Sequence, residues 1–180
     1  MAIRTSILFG VLACALMNPH SAAAQKVTKP SVPGVTNFAR LETTIACAGA
    51  TTPEAVPAIK EMGYKSIINM RLASEPGANV EGEAAAAKAA GLNFIHLPFN
   101  ASSPDPAVPA AFLKEVTKPE NEPAFIHCAS GNRVSAMWMI KRMVVDKWDA
   151  DRAASEAAEL GLTNENLKKF ALDYAASHKQ

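Results

Sequence analysis

The sequence predicts an α/β fold with a mainly parallel central sheet of about four to five strands, flanked by helices. Three observations lead to this prediction. Short apolar runs alternate with segments of helical periodicity between residues 41 and 127. Glycine, proline and threonine stand at the joints between these segments. From Asn132 onward the pattern is helical. Such alternation is typical of parallel strands joined by crossover helices, so we expect one sheet covered on both faces.

Four short apolar runs are predicted as the strands: 41–47, 64–70, 93–97 and 123–127. The first helix opens at Thr52-Pro53, because threonine can cap a helix and proline suits its first turn, and it ends before Gly63. The alanine-rich segment 81–90 forms the second helix and stops at Gly91. Four further helices are predicted at 107–117, 134–147, 149–160 and 163–176.

The N-terminal region predicts export. Arg4, an apolar stretch at 7–17 and the small residues at 21–24 have the order of a signal peptide, so residues 1–24 are assigned to one. A lipoprotein signal ending at Cys14 is the alternative. We expect a periplasmic protein with no stable membrane insertion after cleavage. Residues 25–37 carry prolines, a glycine and lysines and are predicted as a linker or N-terminal arm, followed by a single catalytic domain at 38–178.

Composition narrows the classes of partner. Removal of residues 1–24 leaves 180 − 24 = 156 residues, with 18 − 1 = 17 basic and 17 acidic side chains, because Arg4 is the one charged residue removed. A net charge near zero argues against nucleic acid or an anionic membrane surface as the main partner. Two cysteines remain, too few for a disulfide scaffold. The sequence shows no metal-ligand spacing, and no cofactor is expected. The oligomeric state stays open.

The segment 126–133 (IHCASGNR) carries the chemistry. Cys128 follows a strand, and Ala129, Ser130, Gly131 and Asn132 are small or polar residues that lead into a helix at Arg133. Backbone N–H groups of such a loop can converge on an anion, and the helix N-terminus adds positive potential. The same field stabilises a cysteine thiolate. The sequence therefore predicts a nucleophilic cysteine whose donors also bind an anionic substrate, with His127 orienting the loop through its ring. The alternative is a buried cysteine before an ordinary capped helix.

This loop resembles those of the cysteine-dependent phosphatase and rhodanese superfamilies. More closely, the chain from about 38 to 143 resembles the beta-lactamase-hydrolase-like phosphatase family, also called DUF442. The segments that carry the resemblance are Gly49 with 52–54, 63–71 with Glu75, 91–98, the loop itself and Trp138. The resemblance implies a cysteine phosphatase-like fold and a hydrolase that binds phosphate oxygens through Arg133 and the loop amides.

The length of the loop bears on which reaction Cys128 performs. Tyrosine and dual-specificity phosphatases use Cys-x5-Arg, whereas this chain has Cys-x4-Arg, the length typical of rhodanese-like sulfurtransferases. A histidine directly before the cysteine, as in His127-Cys128, is typical of phosphatases. Phosphatases also place serine or threonine just after the arginine, where this chain has Val134, with Ser135 one place later. The resemblance further implies an aspartate as general acid, and Asp105 is the one carboxylate in the segment 100–106. Asp105 is equally well explained as a helix cap.

Two other features bear on the site. Cys47 ends the first predicted strand and is either a small buried residue or a redox partner of Cys128. Arg71 and Glu75 follow the second strand and are expected to pair as a loop clamp, or Arg71 to attract anionic substrate.

Three hypotheses follow from the sequence. In the first, Cys128 attacks phosphorus and forms a cysteinyl-phosphate. In the second, Cys128 carries a persulfide sulfur to a thiophilic acceptor. The third is a catalytically silent anion-binding or interaction module. The expected partner is a small anionic substrate or a phosphorylated molecule.

Overall fold

A computed structural model describes residues 26–42 and 44–178. The predicted signal peptide lies outside this range. The fold is α/β, as predicted, and the described residues form a sheet of six strands: β1 (Val27–Thr28), β2 (Ala39–Leu41), β3 (Ile45–Ala48), β4 (Ser66–Asn69), β5 (Asn93–His96) and β6 (Ala124–His127). Their spatial order is β1-β2-β3-β6-β4-β5. The neighbouring strands β3, β6, β4 and β5 are parallel to one another. At one edge of the sheet β2 pairs antiparallel with β3, and β1 pairs antiparallel with β2.

The antiparallel edge corrects the prediction of a single strand at 41–47. Leu41 ends β2 and Ile45 begins β3, and the two strands pair as a hairpin. Between them Glu42 has a positive φ of 44°, and its carbonyl accepts a hydrogen bond of 2.6 Å from Arg40 Nε. The polar residues 42–44 therefore interrupt what looked like one apolar run. The segment predicted as a linker, 25–37, contributes β1 to the edge of this hairpin.

In the part of the chain that the structure describes, six α-helices cover the two faces of the sheet: α1 (Val56–Glu61), α2 (Val80–Ala89), α3 (Ala107–Val116), α4 (Asn132–Val144), α5 (Ala150–Glu159) and α6 (Glu165–Ser177). A single turn of 3-10 helix at Pro53–Ala55 precedes α1, and another at Pro119–Asn121 precedes β6. Within the described residues, no helix combines the length and the apolar character needed to span a bilayer.

Two apolar clusters divide the core. One contains Phe125, Ile67 and Ile59 on the face covered by α1 and α2. The other contains Ile126, Cys128 and Trp138 on the face covered by the C-terminal helices. Alternate residues of a strand point to opposite faces, so Phe125 and His127 face one cluster while Ile126 and Cys128 face the other. The four parallel strands end together, which brings the loops after β3, β4, β5 and β6 to one rim of the sheet.

Candidate active site

Cys128 lies at the centre of this rim. It follows β6, whose last residue is in register with Ala48 of β3 and Asn69 of β4. Its amide donates to Ala48 O at 3.2 Å, and Met70 N donates to the carbonyl of His127 at 2.9 Å. The side chain of Cys128 is fully buried. The flanking strands therefore hold the start of the loop on both sides.

The loop amides converge because the loop carbonyls are held on the outside. Ala129 O accepts a hydrogen bond from Ala50 N at 3.0 Å, and Ser130 O accepts one from Asn37 Nδ2 at 3.1 Å. In a trans peptide the C=O and the following N–H point in opposite directions, so the amides of Ser130 and Gly131 turn inward. Gly131 N indeed donates to Cys128 Sγ at 3.1 Å. The inward amides match the loop geometry that the small residues of this segment predict.

The end of the loop is attached to a distant turn. Gly131 has φ 95°, which favours glycine, and it precedes the first residue of α4. Asn132 Oδ1 then accepts hydrogen bonds from Thr163 N at 2.7 Å and Asn164 N at 2.9 Å, both between α5 and α6. The side-chain carboxamide of Asn132 thus fixes the loop against the C-terminal helices. The sequence did not indicate this structural role.

Arg133 is already engaged by a carboxylate. Its Nη1 lies 2.5 Å from Glu75 Oε1 and its Nη2 lies 2.8 Å from Glu75 Oε2. Nη1 also donates to Met70 O at 3.1 Å and Phe99 O at 3.0 Å. Burial opposes the charge of Arg133, but its interactions with Glu75 and Cys128 outweigh burial, so the pKa of the guanidinium is raised. The guanidinium of Arg133, which the sequence predicts as free to bind an oxyanion, is therefore already partly engaged within the protein.

Glu75 connects the two arginines of this side of the rim. Hydrogen bonds from Arg133 are the main reason that the pKa of Glu75 falls to about 2, and the Leu72 amide and Arg71 contribute. Arg71 Nε lies 3.3 Å from Glu75 Oε2, and its two terminal nitrogens donate to Pro76 O and Gly77 O. Arg71 thus holds the loop after β4 together, as expected. Glu75, which belongs to that loop, in turn fixes the position of Arg133.

His127 does not line the loop, which corrects its expected place among the substrate-binding residues. Its ring is fully buried on the opposite face of the sheet, because it precedes Cys128 by one position in an extended strand. His127 Nε2 lies 2.8 Å from Glu83 Oε1 of α2, at ion-pair distance but without hydrogen-bond geometry. Asn69 Nδ2 donates to Glu83 Oε2 at 2.6 Å, and Asn69 Oδ1 accepts from Arg71 N at 2.7 Å. Glu83 was missed in the sequence, where its one signal was an acid inside an alanine-rich helix.

Asp105 and Cys47 are placed differently from their catalytic interpretations. Asp105 is exposed, and its Oδ1 accepts a hydrogen bond from Ala107 N at 2.8 Å at the start of α3.

Cys47 is in register with Ile126, two residues before Cys128, on the neighbouring strand. One strand spacing and two residue rises separate the two cysteine Cα atoms by about 8 Å. A disulfide needs less than about 7 Å, and both thiols are free.

The residues that follow Arg133 are structural. Val134 is buried in the core. Ser135 Oγ donates to Leu160 O at 3.1 Å, and it lies close enough to Cys47 to form a hydrogen bond with that thiol. Burial nevertheless raises the pKa of Cys47 well above its ordinary value. Neither Val134 nor Ser135 therefore assists Cys128 as a leaving group, the role that serine or threonine has after the arginine of phosphatases.

Several solved structures are similar to this chain in fold. A DUF442 protein of Shewanella putrefaciens CN-32 superposes with a TM-score of 0.67 at 15% identity, covering 82% of this chain and 96% of its own. TpbA of P. aeruginosa gives a TM-score of 0.64 at 21% identity, with coverages of 88% and 92%. The core catalytic domain of the PP-IP phosphatase Siw14 of S. cerevisiae, in complex with citrate, gives 0.65 at 19%, with coverages of 80% and 88%.

These similarities show a shared fold. A search of curated proteins by sequence finds no match. The profile of the family described as "Beta-lactamase hydrolase-like protein, phosphatase-like domain" matches residues 37–145, which contain the whole rim from Asn37 to Arg133. The chain therefore belongs to this phosphatase-like family.

Proposed function

We propose that this protein is a cysteine-dependent phosphatase that hydrolyses phosphate monoesters at Cys128. The observation that carries the proposal is the 3.1 Å contact between Gly131 N and Cys128 Sγ. A backbone donor is thus aimed at the sulfur before substrate binds. The same donor, together with the inward amide of Ser130, can bind the oxygens of a phosphoryl group as it is transferred.

In the first chemical step the Cys128 thiolate attacks phosphorus, the S–P bond forms and the ester P–O bond breaks. The leaving oxygen takes a proton from a general acid, for which Asp105 is our candidate. Asp105 Oδ1 accepts a hydrogen bond from Ala107 N in the structure, so as the acid Asp105 would exchange this contact for one to the leaving oxygen. Water then attacks the cysteinyl-phosphate and gives a proton to the carboxylate that the first step left on the general acid; the S–P bond breaks, and inorganic phosphate and the thiolate are released.

Arg133 supplies positive charge beside the sulfur. Nη1 is used by Glu75 and two carbonyls and Nη2 by Glu75, and the guanidinium also interacts with Cys128. The N–H group that faces the sulfur would turn to a phosphoryl oxygen when substrate binds, while Glu75 keeps the guanidinium in place. Such preorganisation is what a phosphoryl-binding arginine requires.

The solved relatives are consistent with an anionic, phosphorylated substrate. TpbA has been solved in complex with pTyr, and the Siw14 core was solved in complex with citrate. We propose the same broad class of ligand for this chain. We also propose that the protein acts in the periplasm, on the basis of the predicted signal peptide at 1–24.

The six-residue loop favours a second candidate, sulfur transfer through a Cys128 persulfide. The spacing Cys-x4-Arg encloses a smaller anion site than Cys-x5-Arg and is the spacing of rhodanese-like enzymes. This reaction needs no general acid, in agreement with the capping position of Asp105. A module that binds anions without turnover is the third candidate.

One experiment separates the three. The wild-type protein, Cys128→Ser and the control Cys47→Ala are each given p-nitrophenyl phosphate and, separately, thiosulfate with cyanide. We expect phosphate release that is lost in Cys128→Ser and retained in Cys47→Ala. Thiocyanate formation without phosphate release would replace the proposal by sulfur transfer. Inactivity of the wild type in both assays would leave anion binding alone.

A further inference from the structure

One peptide unit of the active-site loop is held from outside by the N-terminal segment. Asn37 Nδ2 donates to the carbonyl oxygen of Ser130 at 3.1 Å. The N–H of the same peptide unit belongs to Gly131, and it donates to Cys128 Sγ at 3.1 Å. The C=O and N–H of a trans peptide lie in one plane and point in opposite directions. The hydrogen bond from Asn37 therefore also sets the direction of the N–H group that faces the sulfur.

This peptide unit is less restrained by the backbone than the one before it. The carbonyl of Ala129 accepts from a backbone amide, that of Ala50, at 3.0 Å, whereas the carbonyl of Ser130 accepts from a side chain. Gly131 has φ 95°, and a glycine can leave this conformation for a negative φ at little steric cost. The glycine that lets the loop turn therefore also makes it easier for its own N–H to rotate away from Cys128.

Asn37 is itself held on both sides along the chain. Before it, Thr36 N donates to Ala50 O at 2.9 Å. After it, Phe38 is buried and its ring stacks on Phe125 of β6, with the ring centroids 6.2 Å apart. Asn37 has φ 48°, a left-handed conformation that asparagine adopts more readily than most other residues. The carboxamide is therefore presented to the loop from a fixed backbone.

The N-terminal segment is packed closely against the loops of the site. Gly49 N donates to Thr36 O at 2.7 Å, and a Cβ placed on Gly49 would overlap Thr36 Oγ1 and lie 3.1 Å from Ala129 O. Gly49 also forms an isolated antiparallel bridge with Ser130. These contacts fix the distance between Asn37 and the active-site loop.

We propose that Asn37 is a positioning residue of the active site. Its carboxamide keeps the Ser130–Gly131 peptide turned so that the Gly131 N–H faces Cys128 and, during the reaction, a phosphoryl oxygen. Asn37 does not touch the substrate itself, because it contacts the loop on the outer, carbonyl side. The part of this inference that concerns the phosphoryl group rests on the proposed function, and the part that concerns the N–H and the sulfur does not.

Two substitutions separate the hydrogen bond from the backbone conformation. Asn37→Asp keeps the shape of the side chain but replaces the donor by a carboxylate oxygen, which repels the Ser130 carbonyl. Asn37→Gly removes the side chain and accommodates the positive φ. Lys147→Gly is the matched control, because Lys147 is exposed and also has a positive φ, of 58°. It follows the 13-residue helix α4 and is on the order of 20 Å from the loop.

The first measurement is the amide resonance of Gly131 in ¹H–¹⁵N spectra, which requires no turnover. Cys128→Ala removes the sulfur acceptor, so in the wild type and in Lys147→Gly we expect it to shift the Gly131 amide proton upfield. In the two Asn37 variants Cys128→Ala should shift this proton much less, because the N–H no longer faces the sulfur. An equal shift in all four proteins would overturn the inference. The dispersion of the same spectra shows whether each variant is folded, and either folded Asn37 variant suffices for the comparison.

The second measurement is hydrolysis of p-nitrophenyl phosphate with Cys128 in place. We expect Asn37→Gly to lower kcat/KM by about two- to tenfold, the equivalent of one hydrogen bond, and Asn37→Asp to lower it further. The loss should be in kcat, because the N–H binds the phosphoryl group as it is transferred. Lys147→Gly should match the wild type.

The two measurements distinguish failure of this inference from failure of the proposed function. Full activity of both Asn37 variants, in a protein whose wild type hydrolyses the ester, would overturn the positioning role. A wild type that does not hydrolyse the ester but shows the expected Gly131 response would reject the proposed function and keep the positioning role of Asn37.

Discussion

Glu75→Gln tests whether Glu75 holds the active-site arginine. The substitution keeps the shape of the side chain and removes its negative charge. In the wild type this carboxylate accepts hydrogen bonds from Arg133 on both oxygens and lies within reach of Arg71. Its amide replacement would place an NH2 group against one of the guanidinium nitrogens. We therefore expect the variant to lose both stability and the placement of Arg133.

The magnitude follows from the pKa of Glu75, which falls from an ordinary 4.5 to about 2. A difference of this size corresponds to about 3 kcal/mol at most. The side chain is 19% exposed, and solvent screening reduces the contribution to about 1–2 kcal/mol. Because the pKa is lower in the folded state, the contribution is present above about pH 4.5 and is lost as the pH falls toward 2.

The assay is urea unfolding at several pH values between 7 and 3. The buried indole of Trp138 provides a fluorescence signal for unfolding. We expect Glu75→Gln to lower the free energy of unfolding by about 1–2 kcal/mol at pH 7. The difference from wild type should shrink steadily as the pH approaches 3. Glu61→Gln, at the exposed end of α1, is the matched control and should differ little from wild type at either pH.

Two results would refute this reasoning. A stability loss that is the same at pH 7 and pH 3 would mean that the carboxylate charge is not its source. An unchanged stability at pH 7 would mean that the Glu75–Arg133 contact contributes nothing to the fold. In the phosphatase assay we expect kcat/KM to fall by about tenfold, since an arginine without its partner is less well oriented.

Three further predictions concern the surroundings of the site. Glu83→Ala should cost about 1–3 kcal/mol in urea unfolding, because it removes the acceptor of the buried Asn69 side chain and the carboxylate beside His127; a loss below about 0.5 kcal/mol would contradict this role. Asp105→Asn keeps a side-chain oxygen for the Ala107 amide and, if Asp105 is the general acid, should slow hydrolysis of phenyl phosphate at least about tenfold while leaving dinitrophenyl phosphate nearly unaffected. An equal effect on both substrates would assign Asp105 to capping alone. Mass spectrometry of peptides from the unreduced protein should find Cys47 and Cys128 as free thiols, because their Cα atoms are about 8 Å apart; a Cys47–Cys128 peptide would require strand movement that the structure does not show.

Much of the fold could be predicted because its signals are local. Helix α2 begins after Asn79, within one residue of its predicted start, since alanine-rich periodicity and Gly91 mark its extent. The hairpin at 39–48 could not be resolved in the same way. Polar residues that interrupt an apolar segment are a weak signal, and the antiparallel pairing of β2 with β3 is a contact between strands that periodicity does not report.

The partners of the site residues were the least predictable part. Arg133 and Glu75 are 58 positions apart, and Asn132 meets Thr163 31 positions away. Local sequence shows that Arg133 follows a loop at a helix start, which suits an anion. It does not show whether another side chain occupies that guanidinium, because the answer depends on which loops meet at the rim of the sheet.

The sequence by itself determined the α/β class, the family resemblance and the Cys128–Arg133 loop, since each depends on residue types at short spacing. The tertiary structure alone decided that His127 faces Glu83 and not the loop, because strand alternation turns neighbouring residues to opposite faces. It also decided that Arg133 is held by Glu75, and that the loop amides converge because Ala50 and Asn37 bind the loop carbonyls from outside. Those are contacts between segments distant in the chain, and the packing of the sheet and its helices brings them together.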